Sequence, residues 1–344
     1  MGIVRLFLAL IVIAHHTGIG KSLHVDGREA VTLFYLISGF YMAMILNTKY
    51  VGHGSILRFY KSRYLRLWVP YVAVTGFYLI GLYSSLIKLP VQFPVVNHLD
   101  PISLFPLMAD CLSIFFIFGQ DLYYLFSTAS NGQLIYLPYG ETGFNGSRFI
   151  LNPVIFSISL ELYFYILAPF VLRSFNKTIV FMAAGFLWHL YFNLEGNTGL
   201  GVQYHLFPAT LLFFGLGATS YWMMVAKDKF DNKAGYLVAF MIVAMLPWMK
   251  FAAYGLLVAL FFFLVPAIFS LSKSSRIDRL IGELSYPVYV VHFPVILVVK
   301  QHFKPQASTG VFFYTVVLSI ILAYVLYLVI EKPLSKYREQ FAHG

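Results

Sequence analysis

The chain lacks most of what a soluble domain is built from. Only 11% of its 344 residues are charged, against roughly a quarter in ordinary globular proteins, so a water-facing surface of normal composition cannot be assembled from it. A single cysteine, Cys111, excludes an internal disulfide and any thiolate metal site, and no metal is expected. No internal repeat is visible, which weighs against a transporter built from inverted halves. Acidic residues are scarce too, 14 against 24 Lys and Arg, for a net charge of +10. The excess does not read as a nucleic-acid footprint, because the basic residues are spread over several connecting segments and no polar stretch is long enough to fold as such a module.

Apolar sequence fills the space those absences leave. Hydrophobic residues make up 60% of the chain and aromatics 19%, with a mean hydropathy of +0.77. At about 20 residues per span, this is an all-α, polytopic transmembrane helix bundle in the lipid bilayer, with room for about ten helices. Apolar segments fall near residues 3–22, 30–47, 67–87, 106–126, 151–172, 178–194, 204–226, 235–249, 251–271, 283–300 and 310–331.

Basic clusters follow in turn: Lys49, Arg58, Lys61, Arg63 and Arg66; Arg173 and Lys177; Lys227, Lys229 and Lys233; Lys273, Arg276 and Arg279; Lys332, Lys336 and Arg338. All five lie on the cytoplasmic side, by the positive-inside rule, if one candidate does not span. The segment 106–126 is that one, since Asp110, Gln120 and Asp121 are costly against lipid. Residues 88–150 are therefore expected to form an external loop region, with ten spans and both termini cytoplasmic. The expected division is a membrane domain over 1–335 and a short cytoplasmic tail over 336–344. The apolar N-terminus reads as a retained first helix, without a convincing cleavage pattern.

Polar residues inside spans are the informative exceptions. In RLFLALIVIAHH, Arg5 and His16 are eleven residues apart. At ~100° per residue they return to within about 20° of each other, on one helix face, with a rise of about 16 Å between them. The imidazole is expected near mid-bilayer, and the stripe predicts a polar, one-sided cavity. Ser38, Glu161 and His292 fall near the middles of three further spans. Interhelical hydrogen bonding is the structural alternative for each. For Ser38, followed by Gly39 and without a local base, close packing is the better reading. Pro294, two residues after His292, is expected to break its helix and free backbone groups to line a cavity.

In chain order these strings resemble the integral-membrane acyltransferase family 3, which O-acylates sugars of polysaccharides, lipopolysaccharides and some antibiotics. The resemblance rests on Arg5 with His16, LFYLISGF, FYKSRYLRLWVPY, FSISLELYFYILAP, LSYPVYVVHFP and the EKP at Glu331 to Pro333. It implies a stand-alone membrane domain without the esterase-like domain many relatives add. It also implies transfer of an acyl group, with acetyl expected, from acyl-coenzyme A at the cytoplasmic face of a bacterial inner membrane to a carbohydrate hydroxyl.

That chemistry needs a base for the hydroxyl proton and positive charge for the donor's phosphates. His16, an imidazole whose ordinary pKa is ~6.5, is the expected base. Glu161 and His292 are further catalytic candidates. Arg5, Arg63 and Arg66 are the expected cofactor-binding residues, their guanidinium forks suiting pyrophosphate. A transporter or flippase of a lipid-linked or amphipathic substrate is the competing class, for which the same buried groups would form a binding path.

Overall fold

The computed structural model describes residues 1–24, 26–88, 112–128, 134–136, 152–196, 200–225, 232–249 and 255–340. Among these, ten helices of 13 residues or more form the bundle. They are α1 (Gly2–Thr17), α2 (Gly27–Thr48), α3 (Ser55–Tyr83), α4 (Ile155–Val171), α5 (Phe175–Leu194), α6 (Phe207–Val225), α7 (Lys233–Met245), α8 (Gly255–Ser272), α9 (Arg276–Val298) and α10 (Ser308–Leu326). A short α11 (Lys332–Glu339) follows. Six described segments are long and apolar enough to cross a membrane, and the helices at Gly2–Thr17, Ile155–Val171 and Lys233–Trp248 are shorter apolar ones. The chain is a multi-pass membrane protein.

Its outer faces are those of a lipid-immersed bundle. Phe77 and Ile80 on α3, Phe263 and Leu264 on α8, and Phe313 and Ile321 on α10 are all exposed, as expected when the surrounding solvent is hydrocarbon and the polar groups turn inward. Without a hydrophobic gradient between helices, close approach has to come from small residues. At the crossing of α2 and α6, a Cβ added to Gly39 would stand 2.0 Å from the Phe214 carbonyl oxygen, and one added to Gly217 would stand 1.8 Å from that of Leu36. Only glycine lets these backbones meet.

The basic connections gather at one end of the bundle. Arg173, after α4, donates at 2.9 Å to the Tyr50 carbonyl and at 2.9 Å to Ser55 Oγ, between α2 and α3. At the same end the start of α1 docks on the start of α9. Asp278 accepts from the backbone N–H of Gly2 at 2.8 Å and of Ile3 at 3.0 Å, supplying a carboxylate to N–H groups that have no partner within their own helix. A Cβ on Gly2 would overlap the Asp278 carbonyl at 1.7 Å, so the docking depends on glycine there.

Two expectations change on folding. First, α1 stops at Thr17, because Gly18 adopts a left-handed conformation at φ 87°. His16 thus lies in the last turn of a 16-residue helix, near the end opposite Arg5, and not near mid-span. Second, α9 runs unbroken through Pro287 and Pro294. The carbonyl of Val290 that Pro294 leaves without an N–H partner accepts from Asn152 Nδ2 at 3.3 Å instead.

The described part of 106–126 is a short helix over 112–116 and a 3-10 turn at Leu122–Tyr124, packed on α3 through Trp68 and Tyr71, which donate to the carbonyls of Phe115 and Ile114. Its polar groups are buried against protein. Gln120 donates to Ser113, and Asp121, 4% exposed, accepts from the Tyr163 hydroxyl at 3.2 Å. Burial pushes the Asp121 carboxyl up to about 6, against those hydrogen bonds. Residues 336–339 belong to α11, which packs on α3. Cys111, Asp110, Lys227, Lys229 and most of 88–150 lie outside the described residues.

Candidate active site

A cavity of about 460 Å³ opens at the basic end, between α1, α2, α3, α4 and α9. Its walls carry Arg5 from α1, Arg63 and Arg66 from α3, Ser38 from α2, Glu161 and Ser157 from α4, and Tyr289 from α9. Each arrives by simple periodicity. Arg5 sits one turn after the docked start of α1, and Arg63 and Arg66 are three residues apart on one face of α3. A volume of this size with an apolar lining and a few convergent polar groups is typical of small-molecule sites.

Glu161 is held from two sides. Ser38 Oγ donates to its Oε1 at 2.8 Å, and the Tyr165 hydroxyl donates to the same oxygen at 2.5 Å. Its charge acts on Arg5, together with the hydroxyls of Tyr41 and Tyr165. Glu161 thus stands with the arginines, apart from the imidazoles. Ser38 is spent as a hydrogen-bond donor beside the packed Gly39.

His16 and His292 form a second cluster outside the walls of this cavity. Their ring centroids are 5.4 Å apart, tilted by 39°, and Phe293 lies 6.1 Å from His16. His292 is fully buried, and its Nδ1 is 2.6 Å from the Tyr289 carbonyl oxygen. A carbonyl only accepts, so this nitrogen carries the proton and Nε2 holds the lone pair. That Nε2 is buried without a hydrogen-bond partner. His16 is partly exposed.

Tyr289 belongs to both clusters. It lines the cavity, its hydroxyl shares a 2.7 Å hydrogen bond with Ser157 Oγ, and its ring lies 5.8 Å from that of His292. The folded chain therefore brings Arg5, Arg63, Arg66 and Glu161 to one place and His16 and His292 to another, with Tyr289 as the shared wall.

Two participants are not picked out by spacing alone. Tyr289 is one aromatic among 60 Phe and Tyr residues. Glu331, 7% exposed, sits at the end of a one-turn π-helical segment, Tyr327–Glu331, and its carboxylate interacts with Arg66, Arg338 and Arg5. The closing EKP string is the only signal for it. Among the described residues no group of three or more His, Cys, Asp or Glu is arranged to hold a metal ion.

The family model described as an acyltransferase domain, that of acyltransferase family 3, matches residues 1–328. None of the curated proteins and none of the solved structures compared with the chain matches it.

Proposed function

The chain belongs to acyltransferase family 3, and we propose that within it this membrane acyltransferase moves an acetyl group from acetyl-coenzyme A to a carbohydrate hydroxyl of a surface glycan. The observation that carries the reading is the cavity walled by Arg5, Arg63 and Arg66, divided by Tyr289 from an imidazole pair. The basic end faces the cytoplasm, by the positive-inside rule, in a bacterial inner membrane. Both termini lie on that side.

The arginines take the donor's phosphates, which are planar-fork targets for guanidinium. Glu161 balances Arg5 and keeps its place through Ser38 and Tyr165. In coenzyme A a long flexible arm separates thioester from phosphates, as the rise of about 16 Å from Arg5 to His16 requires. The arm passes Tyr289, and the acceptor approaches His16 from the opposite end.

There His16 accepts the hydroxyl proton as the sugar oxygen attacks the thioester carbonyl carbon. The tetrahedral intermediate collapses with loss of the C–S bond, and the imidazolium returns its proton to the departing thiolate. His292, its Nδ1 proton committed to the Tyr289 carbonyl, positions His16 and offers Nε2 as a second acceptor.

Membranes carrying the chain and supplied with acetyl-coenzyme A labelled in its acetyl group should incorporate label into glycan, and mass spectrometry of that glycan should show an added ~42 Da, the mass that acetyl transfer by acyl exchange leaves behind. Movement of a substrate with no label incorporated would instead mean a transporter or flippase.

A further inference from the structure

The cavity walls do not account for all the positive charge at the basic end. Arg338, ten residues beyond the segment matched to the family, is carried back onto α3 by α11. Its side chain is partly buried among Arg66, Arg63, Glu331 and Tyr50. Nε and Nη1 of Arg338 and Nε of Arg63 are buried without hydrogen-bond partners. Among the described residues, none of Arg63, Arg66 and Arg338 has a carboxylate oxygen within 4 Å. Arg66, Arg338 and Arg5 act on the buried carboxylate of Glu331, with Glu283 as a second carboxylate nearby, and this excess of guanidinium favours a polyanionic ligand.

The order of the groups says which anion. Arg5 lies nearest the chemistry, interacting with Glu161 and Tyr165, while Arg63 and Arg66 line the cavity. Arg338 interacts with both of them and forms no part of the cavity wall. In a coenzyme A thioester the sequence from the reacting end is thioester, pantetheine arm, pyrophosphate, then the 3′-phosphate on the adenosine ribose. Laid along the site with its thioester inward, the outermost phosphate meets the arginine outside the cavity wall.

We propose that Arg338, with Arg63 and Arg66, binds the 3′-phosphate of the donor and makes this chain selective for coenzyme A thioesters over thioesters lacking that phosphate. The proposal rests on the donor assignment above and can fail separately from it.

The test uses the full chain in phosphatidylcholine nanodiscs, with acetyl-coenzyme A and acetyl-3′-dephospho-coenzyme A titrated by calorimetry. The wild type should prefer acetyl-coenzyme A by about tenfold, the size of a charged hydrogen-bonded contact. Arg338→Gln should abolish the preference by weakening acetyl-coenzyme A alone, and Arg338→Lys should keep part of it. Lys336→Gln, on the exposed side of the same helix, should keep all of it. Misfolding lowers the number of sites and not the ratio of the two affinities, so the ratio isolates the role.

Equal binding of both donors by the wild type, or an unchanged ratio in Arg338→Gln, overturns the proposal and leaves the donor assignment standing. A preference abolished by phosphatidylglycerol in the nanodisc also overturns it, because lipid phosphate would then be the ligand. Binding of neither donor by the wild type would instead remove the donor assignment itself.

Discussion

The two ends of the site solve opposite electrostatic problems. At the basic end, charged groups that are expensive to bury line an open cavity, and Arg5, Arg63 and Arg66 are left without a close carboxylate partner among the described residues. At the other end the groups are imidazoles, which can shed their charge. His292 is completely enclosed, with one nitrogen satisfied by a backbone carbonyl. A membrane protein can afford an unpaired arginine where water or a ligand reaches it, whereas an enclosed titratable group has to be one that tolerates neutrality. On the proposed reading, binding belongs to one end and proton transfer to the other.

The most severe way to break this division is to remove the imidazole at the partly exposed position. His16→Ala is expected to lower the turnover of acetyl transfer about 10²- to 10⁴-fold, the usual worth of a general base, with donor affinity unchanged in calorimetry. A loss of donor affinity of the same size would merge the two ends into one. The converse substitution, Arg5→Gln, should weaken donor binding by about 10- to 100-fold, as expected for a charged hydrogen-bond partner, and leave single-turnover transfer from saturating donor within a few-fold of wild type.

Asp121 sharpens the comparison from outside both ends, as a carboxyl that is enclosed without a cationic partner among the described residues. Its pKa is held up to about 6 by burial, above the ~3.9 of an unfolded chain. The folded state therefore binds its proton more tightly than the unfolded state does. Its stabilising effect is complete below about pH 4 and is lost as the pH rises through about 6. Asp121→Asn should raise the stability at pH 7.5 by up to about 3 kcal/mol and flatten the pH dependence across that window, as read from thermal unfolding in detergent. No gain would show that the carboxylate is better solvated than its 4% exposure implies.

The smallest expected effect is at the shared wall. Tyr289→Phe removes the hydroxyl that meets Ser157, while Ser157 keeps its own bond to the Val154 carbonyl at 2.8 Å. The cost in stability should be about 1 kcal/mol, with donor affinity unchanged and turnover reduced a few-fold. A donor-affinity loss as large as that of Arg5→Gln would place Tyr289 wholly in the binding end.

Much of this was legible before folding because it is local. The helix segments follow from hydropathy, and Asp110, Gln120 and Asp121 mark 106–126 as unfit to face lipid. The described residues of that stretch form short turns against α3, consistent with that reading. The place of His16 in the last turn of α1 was not legible, since it depends on Gly18 ending that helix early. The path of α9 through Pro294 was not legible either, because the partner that makes it tolerable, Asn152, lies 138 residues away in sequence. Glu161 could be marked as a polar group in a span, but its neighbours could not be chosen. Its hydrogen-bond donors come from α2 and from its own helix, and its cation from α1.

The sequence by itself determined a polytopic helical bundle, the clustering of basic residues in alternate connections, and the placing of Arg5 and His16 on one face of the first helix. Those properties depend on the helical period and on the cost of charge in hydrocarbon, both set by residues near one another in the chain. Only the tertiary structure decided that the face would divide at Tyr289 into a guanidinium cavity and an imidazole pair. That outcome depends on which helices meet, and in lipid the meeting is governed by close backbone packing at residues such as Gly2, Gly39 and Gly217, since apolar surface gains no advantage there from choosing one neighbour over another.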